Sequence, residues 1–547
     1  MGKELAVERR PRHGRPRASS ANAARTADAC DSTDSGKRKA ESIPTKGRDP
    51  HEHEDEDERS GVERAAHALP SPLMADDAPD ATLGTATRDS GSDEGPTRSP
   101  EVAALVLLWS AHDPTRSGEV LLVPADQTLV LGRGGERPER GVRARFVRQR
   151  PGENTPAAPL ADPKLSRAQL EIRATPEGLA LRNLGRRRLR IDGAEVDRGV
   201  LREGRVARIG ERLVLQATRR PLRLPPTVSG APAAHAFGAP DADGIVGESP
   251  AVWALRDRLA FVAPRPLHVL VHGATGSGKE LAARAIHRAS GRPGALVARN
   301  AATIPEGLLD AELFGNVKDY PNPGMREREG LVGRAHEGTL FLDEIGEIPE
   351  AMQAHLLRVL DADGEFQRLG EERTRRADLR VVAATNRDPA SLKHDLLPRL
   401  TLRVHCPGLG ERREDVPRLA QTLLAAATED DPALRERFAE PDGGFRLAPE
   451  LVEALALHGY RQHVRELHGL LWQSFQSSLG GRLELTSEVR AALDVAPPPP
   501  TVAPEELGRE DIVAALEAHD GVVSRAYAAL GLRSRHQLHR LMKKHGL

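Results

Sequence analysis

Gly273-Ala-Thr-Gly-Ser-Gly-Lys-Glu280 follows the apolar run HVLVHG at 268–273 and precedes an amphipathic pattern from Glu280 to Ala289. Its glycines, Gly273, Gly276 and Gly278, let backbone N–H groups close around phosphate oxygens. The start of the following helix adds positive potential, and Lys279 has the length to reach a β or γ phosphate. Ala274, Thr275, Ser277 and Glu280 complete the loop, with Glu280 where a metal-binding Ser or Thr is usual. Downstream, GTLFLDE at 338–344 reads as an apolar strand ending in two acids. In that place Asp343 would hold Mg²⁺ and Glu344 would polarise an attacking water. Both parts in this order predict a site that binds and hydrolyses a nucleotide.

Outward from this loop, apolar runs such as TLFLDE and LRVVAATN alternate with helical patterns, for example Glu280 to Ala289 and Glu350 to Leu360. That alternation predicts an α/β domain with crossover helices over 244–412, followed by an all-helical lid over 413–496. The preceding stretch, from Glu101, holds short β-prone runs (VAALVLLW, GEVLLV, TLVLG, LEIRA, LRIDG, VARIGERLVLQ) separated by turn residues. An all-β sandwich over 101–217 is expected, with a Pro-rich exposed tether over 218–243.

The chain has 547 residues, 79 Lys+Arg, 80 Asp+Glu and a formal net charge of −1, but the charge is segregated. Residues 1–50 carry 12 basic and 7 acidic residues, and residues 51–100 carry 4 and 13, with no Phe, Trp or Tyr in either half. A stretch so poor in apolar side chains is expected to be a disordered tail over 1–100. Its HEHEDEDER run, 51–59, reads as a solvated acidic tract rather than a metal site. A second Pro-rich linker spans 497–503. The module 504–547 reads as two short helices around Gly531, with six Lys+Arg and no acids from Gly521 onward. This predicts an all-α helix-turn-helix whose last helix enters DNA. Two distant cysteines and no long apolar run point to a cytoplasmic protein without a membrane span.

From about Gly244 to Leu467 the motifs GIVGESPAV, GATGSGKE, RNAA, LLDAELFG, GTLFLDEIGEIP, RVVAATNRD and VREL resemble the bacterial enhancer-binding proteins, AAA+ activators of sigma-54 RNA polymerase. The resemblance implies a homo-oligomeric ring, hexameric in expectation, that uses ATP and Mg²⁺ to remodel sigma-54 holoenzyme. It makes Asn300 the residue that couples Glu344 to the remodelling loops, Asn386 a sensor at a strand end, and Arg465 a second sensor in the lid. It also places Arg399 and Lys393 where two arginines reach a neighbouring subunit's nucleotide. Arg399 suits a trans-acting finger; Lys393 lacks the planar fork. The sequence departs from this family at Asp319-Tyr320-Pro321-Asn322-Pro323-Gly324, which replaces the sigma-54-gripping GAFTGA loop without a length change, and at Tyr460-Arg-Gln-His463, which replaces WPGN.

The β domain resembles a forkhead-associated (FHA) domain through LGRG at 131–134, LSRAQL at 165–170, NLG at 183–185 and RIG at 208–210. That likeness implies Arg133, Ser166 and Arg167 as ligands of a phosphothreonine protein. Gln169 stands where His is usual and Arg186-Arg187-Arg188 replace a peptide-contacting stretch, so a protein-contacting scaffold is the other expectation. The C-terminal module resembles a Fis-type DNA-binding domain, which implies Arg533, Arg535, His536, Gln537, His539, Arg540, Lys543 and Lys544 as DNA contacts. The combined expectation is an ATP-dependent, DNA-binding regulator of sigma-54 polymerase at enhancer-like sites. The alternative is a sigma-54-independent DNA-binding regulator whose ATP site controls assembly.

Overall fold

In the computed structural model, residues 99–547 are described except 137, 140, 229–233, 349–352, 354–355, 358, 362–363, 393, 442, 495–506, 519–520, 522, 524–525, 528–529, 531 and 533–534. Nearly all of the expected tail, its acidic tract, the 497–503 linker, Lys393 and Arg533 therefore lie outside the described residues.

The β domain is two stacked sheets. One has the strand order Ala194–Val196, Leu189–Ile191, Val206–Ile209, Leu213–Pro221, Glu101–Ser110, Val120–Val123, Val147–Arg150, Glu153–Pro156. The other has the order Arg198–Leu201, Gly178–Asn183, Leu170–Thr175, Thr128–Leu131, Val142–Arg143. Inward residues of both, among them Leu105, Leu107, Leu129, Leu170, Ile172, Leu181 and Leu215, form one core. The strand Leu213–Pro221 pairs along its length with Glu101–Ser110, so the domain runs to Pro221 rather than to the expected 217.

Strand Glu101–Ser110 departs from the alternation of a one-sided sheet. Leu105 and Leu107 face the sandwich interior, while Ala104, Val106 and Leu108 belong to a second core shared with the lid residues Leu419, Phe438, Phe445, Leu451 and Leu455. A strand covered on both faces needs apolar side chains at consecutive positions, which is why 102–109 reads VAALVLLW.

The α/β subdomain is a five-stranded parallel sheet in the order Leu296–Asn300, Thr339–Asp343, Arg380–Thr385, Val269–His272, Leu402–His405. Helix Pro250–Val262 starts on the Ser249 hydroxyl, which accepts from Val252 N–H, with Pro250 in the first turn. Helix Lys279–Ser290 is bracketed by Gly278 (φ 103°) and Gly291 (φ 69°). The lid follows as helices Val416–Ala427, Pro432–Phe438, Pro449–Leu457, His463–Ser477 and Ser487–Ala492. At the C-terminus, helices Arg509–Ala518 and Arg535–Lys544 bury Ile512, Leu538 and Leu541 together with Tyr527 and Leu532.

The expected exposed tether is corrected by the structure. Arg220 is buried in an ion pair with Glu414 of the lid entry. His235 stacks on Trp253 at 5.7 Å, and Phe237 lies under the guanidinium groups of Arg148, Arg150 and Arg418. Aromatic and cationic groups with partners in both domains hold much of this Pro-rich stretch against the protein.

Candidate nucleotide site

The parallel sheet brings the candidate residues together because its strands end at one edge. Its register sets Asn300 opposite Asp343 and His272 opposite Thr385. One residue further, Glu344 lies beside Asn300, and Asn386 lies beside the loop that starts at Gly273. Ligand sites of open α/β sheets lie outside these carboxyl ends, where the strand order reverses.

Three glycines shape the loop itself, with φ of 155° at Gly273, 78° at Gly276 and 103° at Gly278. Gly276 is required twice over, since a Cβ there would also sit 2.2 Å from the Gln462 carbonyl oxygen. The Lys279 ammonium, 8% exposed, donates to the Gly273 and Ala274 carbonyls at 3.0 and 3.2 Å. The Ser277 hydroxyl is buried and has no hydrogen-bond partner in the protein. Asn386 Nδ2 donates to Thr275 Oγ1 at 3.3 Å. Glu280 points outward to Arg284, 2.6 Å away, and leaves the metal-binding place of a Ser or Thr without an inward side chain.

Asp343 accepts from the Glu344 N–H at 3.0 Å. Burial pushes its carboxyl above the usual range, against the opposing pull of the Lys279 charge. Glu344 takes left-handed backbone angles (φ 56°), sparsely populated for a residue with a side chain. Its carboxylate accepts from Asn300 Nδ2 at 2.9 Å, and the Asn300 side-chain Oδ1 in turn accepts from Ala302 N–H at 2.9 Å. The asparagine is thereby oriented by the backbone before it orients the glutamate.

The lid closes over the loop through its helix start. Val464 N–H donates to the Gly276 carbonyl at 3.2 Å, with the exposed side chain of Arg465 one residue further. His463 (φ 47°) accepts from Leu409 N–H through Nδ1 and packs against Gly408. Arg399 stands apart from the loop, bound to Asp361 at 2.6 Å and to the Asp395 carbonyl at 2.7 Å.

Sequence reasoning passed over Arg412 and Asp415. Arg412 is buried between two halves of the site, its Nη1 and Nη2 facing the Val246 and Ser277 carbonyls at 3.5 and 3.4 Å. Asp415, 1% exposed, accepts from Glu248 and Ser249 N–H at 2.8 and 3.2 Å. Charged residues within GERREDV at 410–416, immediately before an apolar helix, are the signal that was available.

The sigma-54 interaction domain, as a family model, matches residues 245–404. The transcriptional regulatory protein ZraR of Klebsiella oxytoca is 37% identical over 317 residues, which is 55% of this chain and 69% of that protein. The chain belongs to the sigma-54-dependent AAA+ transcriptional regulators. Other relatives are the anaerobic nitric oxide reductase transcription regulator NorR of Aeromonas hydrophila (34% over 337 residues, 56% of this chain and 64% of NorR) and the Nif-specific regulatory protein of Azotobacter vinelandii (38% over 313 residues, 54% and 58%). The ATP complex of NtrX from Brucella abortus aligns at 28% identity and a TM-score of 0.39, over 55% of this chain and 69% of NtrX. As a member of this family the protein is an AAA+ P-loop ATPase.

Elsewhere the remaining candidates lie as follows. Around Ser166, whose hydroxyl accepts from Arg186 N–H at 3.1 Å, Arg133 donates its N–H to the Ser166 carbonyl and its guanidinium pairs with no described residue. Arg167 points to Glu136 at 3.8 Å, both largely exposed. Gln169, 1% exposed, bridges this cluster, donating to Asn183 Oδ1 and the Arg187 carbonyl. His539, Arg540, Lys543 and Lys544 are exposed on the last helix and Gln537 is half-buried; the side chains of Arg535 and His536 are outside the described set.

The loop Asp319 to Gly324 is exposed but closed on itself. Asp319 Oδ1 accepts from Gly324 N–H at 2.8 Å, and the buried Asn316 amide holds the Val317, Tyr320 and Arg326 carbonyls. The Tyr320 ring lies against Gly370, where a Cβ would meet it at 2.5 Å. Among the described residues no helix is long and apolar enough to cross a membrane, and no cluster of three His, Cys, Asp or Glu side chains could hold a metal.

Proposed function

We propose that the protein is a cytoplasmic, DNA-bound regulator that converts ATP hydrolysis in an oligomeric ring into remodelling of sigma-54 holoenzyme. The Asn300–Glu344–Asp343 constellation beside the loop carries this reading. Incoming phosphates displace the Gly273 and Ala274 carbonyls from Lys279, and the buried Ser277 hydroxyl and loop N–H groups turn to the anion. Asp343 would hold Mg²⁺, which would neutralise charge on the bound phosphates. Glu344 orients and polarises the attacking water. Asn300, its donor, ties the state of that carboxylate to the segment that leads into 301–315, and Asn386 reads the loop through Thr275. Arg399 supplies a cation to the neighbouring subunit's nucleotide, as does Lys393, and Arg465 reaches the phosphates from the lid.

The basic face of helix Arg535–Lys544, with Arg533 ahead of it, docks on DNA phosphates, and Arg535, His536, Gln537, His539 and Arg540 approach base edges. The FHA-like cluster of Arg133, Ser166 and Arg167 receives a phosphothreonine protein, with Gln169 bracing the loops as a His would.

A second reading rests on the closed Asp319–Gly324 loop. A segment that holds its own backbone through Asn316 and its tyrosine through Gly370 presents a compact knob rather than an extended finger, which favours a partner other than sigma-54 and an ATP site that governs assembly. Open-complex formation with sigma-54 holoenzyme and ATP separates the two. Native protein that opens the promoter, with Lys279→Ala inactive, supports the first. ATP hydrolysis without opening supports the second.

A further inference from the structure

The β domain is joined to the ATPase at the strip of backbone that borders the nucleotide loop. Arg150, at the end of strand Val147–Arg150, forks onto Glu248, with Nη2 to Oε1 at 2.6 Å and Nε to Oε2 at 3.1 Å. Its remaining Nη1 donates to the His235 carbonyl at 2.9 Å, and its face lies over Phe237 and Trp253, each at 5.5 Å. Glu248 is 4% exposed and also accepts from Trp253 Nε1 and Gly238 N–H. A buried carboxylate with three donors, one of them charged, is a fixed point.

That fixed point lies in Val246–Ser249, the same strip that Asp415 holds by its N–H groups and that Arg412 ties to the Ser277 carbonyl of the phosphate loop. On the other side, Arg418 of the lid's first helix donates to the Thr115 and Ser117 carbonyls of the β domain and lies over Phe237. Gly238 (φ 79°) leaves room for that guanidinium, since a Cβ there would fall 1.2 Å from Arg418 Nη1. One β-domain edge thus grips both sides of the hinge between the α/β sheet and the lid.

We infer that the β domain is a working part of the ATPase: Arg150 is a positioning residue that acts through Glu248 on the Val246–Ser249 strip and so sets how tightly ATP is held. This rests on the reading of 273–280 as the ATP loop. The effect belongs to binding, because Arg150 touches neither Lys279 nor the Glu344–Asn300 pair, and any loosening of the strip weakens ground and transition states alike.

The test uses the full chain, following phosphate release with ATP as the probe. Arg150→Ala is expected to raise KM about tenfold with kcat within about twofold, and Arg150→Lys to fall between, since it keeps the charge but not the fork. Arg198→Ala, exposed on an outer strand, is the control with unchanged KM. Should Arg150→Ala not fold because Glu248 is left buried without a counter-charge, the double variant Arg150→Met with Glu248→Gln removes that charge, keeps one acceptor oxygen for either Trp253 Nε1–H or Gly238 N–H, and is expected to show the same rise. Native KM in either folded variant overturns the inference, as does an equal rise in Arg198→Ala. Unimpaired ATP turnover in Lys279→Ala would instead overturn the reading of the loop itself.

Discussion

Replacing Arg208 by alanine is expected to weaken the seam between the β domain and the lid, with a cost that depends on pH. Arg208, 4% exposed on strand Val206–Ile209, pairs with Glu450 and, at 2.5 Å, with Glu453, both on helix Pro449–Leu457. Glu211 lies close enough that its carboxyl is raised first by burial and then by Glu450. Truncating the arginine therefore leaves a cluster of acids with their shared cation removed. Breaking a buried pair from one side costs about 3–5 kcal/mol, and because Glu450 keeps 29% side-chain exposure the lower end, about 3 kcal/mol, applies here.

The sign with pH follows from the same residues. Burial already holds Glu453 above the usual range with Arg208 opposing it, and the same opposition leaves Glu450 lowered despite its burial. Without Arg208 both rise. An acid whose folded pKa is raised destabilises the fold above that pKa, and the deficit is relieved as pH falls through it. Urea unfolding followed by tryptophan fluorescence, with Trp109 at the seam, should show the full deficit near about pH 8 and a smaller one near about pH 5. Replacing Arg208, Glu450 and Glu453 together by apolar residues should recover most of the stability. A shift under about 0.5 kcal/mol, or one equal at both pH values, would refute the reasoning.

Other consequences are equally direct. Glu344→Gln should lower kcat by about a hundredfold or more while ATP is still bound, and Asn300→Ala should lower it less, with KM unchanged in both; steady-state phosphate release checks this. Gly276→Ala, which forces a Cβ onto the Gln462 carbonyl at a φ of 78°, should abolish binding of a fluorescent ATP analogue, and native affinity would contradict the loop–lid contact. His268 is held down to about 4, mainly by burial and then by Arg380, and its Nδ1 accepts from Val381 N–H. Because its folded pKa is depressed, the stability it contributes is present above its ordinary 6.5 and is lost as pH falls toward 4, by at most about 3 kcal/mol. His268→Asn should flatten that slope in thermal melts.

The elements readable from sequence were those whose chemistry is local. A glycine-rich turn between an apolar run and a helix has few alternatives, and the strand ends at Asp343 and Asn386 were legible because parallel strands buried on both faces are short and almost wholly apolar. The tether was misread because Pro-rich composition reports only backbone stiffness. Whether Arg220, His235 and Phe237 lie in water or against Glu414, Trp253 and three arginines depends on residues far away in the chain. Arg412 and Asp415 went unnoticed for the same reason, since in sequence they look like ordinary surface charges.

By itself the sequence determined the glycine-rich loop between a strand and a helix, the acids at the strand end, the family, and a β domain with a basic C-terminal module on either side of the ATPase, because each is written in residue types at fixed short spacing. Only the tertiary structure decided that the β domain and the lid share one core, that Arg208, Arg220 and Arg418 make their joints, and that Arg150 ties the β domain to the α/β subdomain. Burying a charge is tolerated only where a partner of opposite sign or a carbonyl waits for it, and such partners, Glu248 for Arg150 or Glu414 for Arg220, come from chain segments that folding alone brings together.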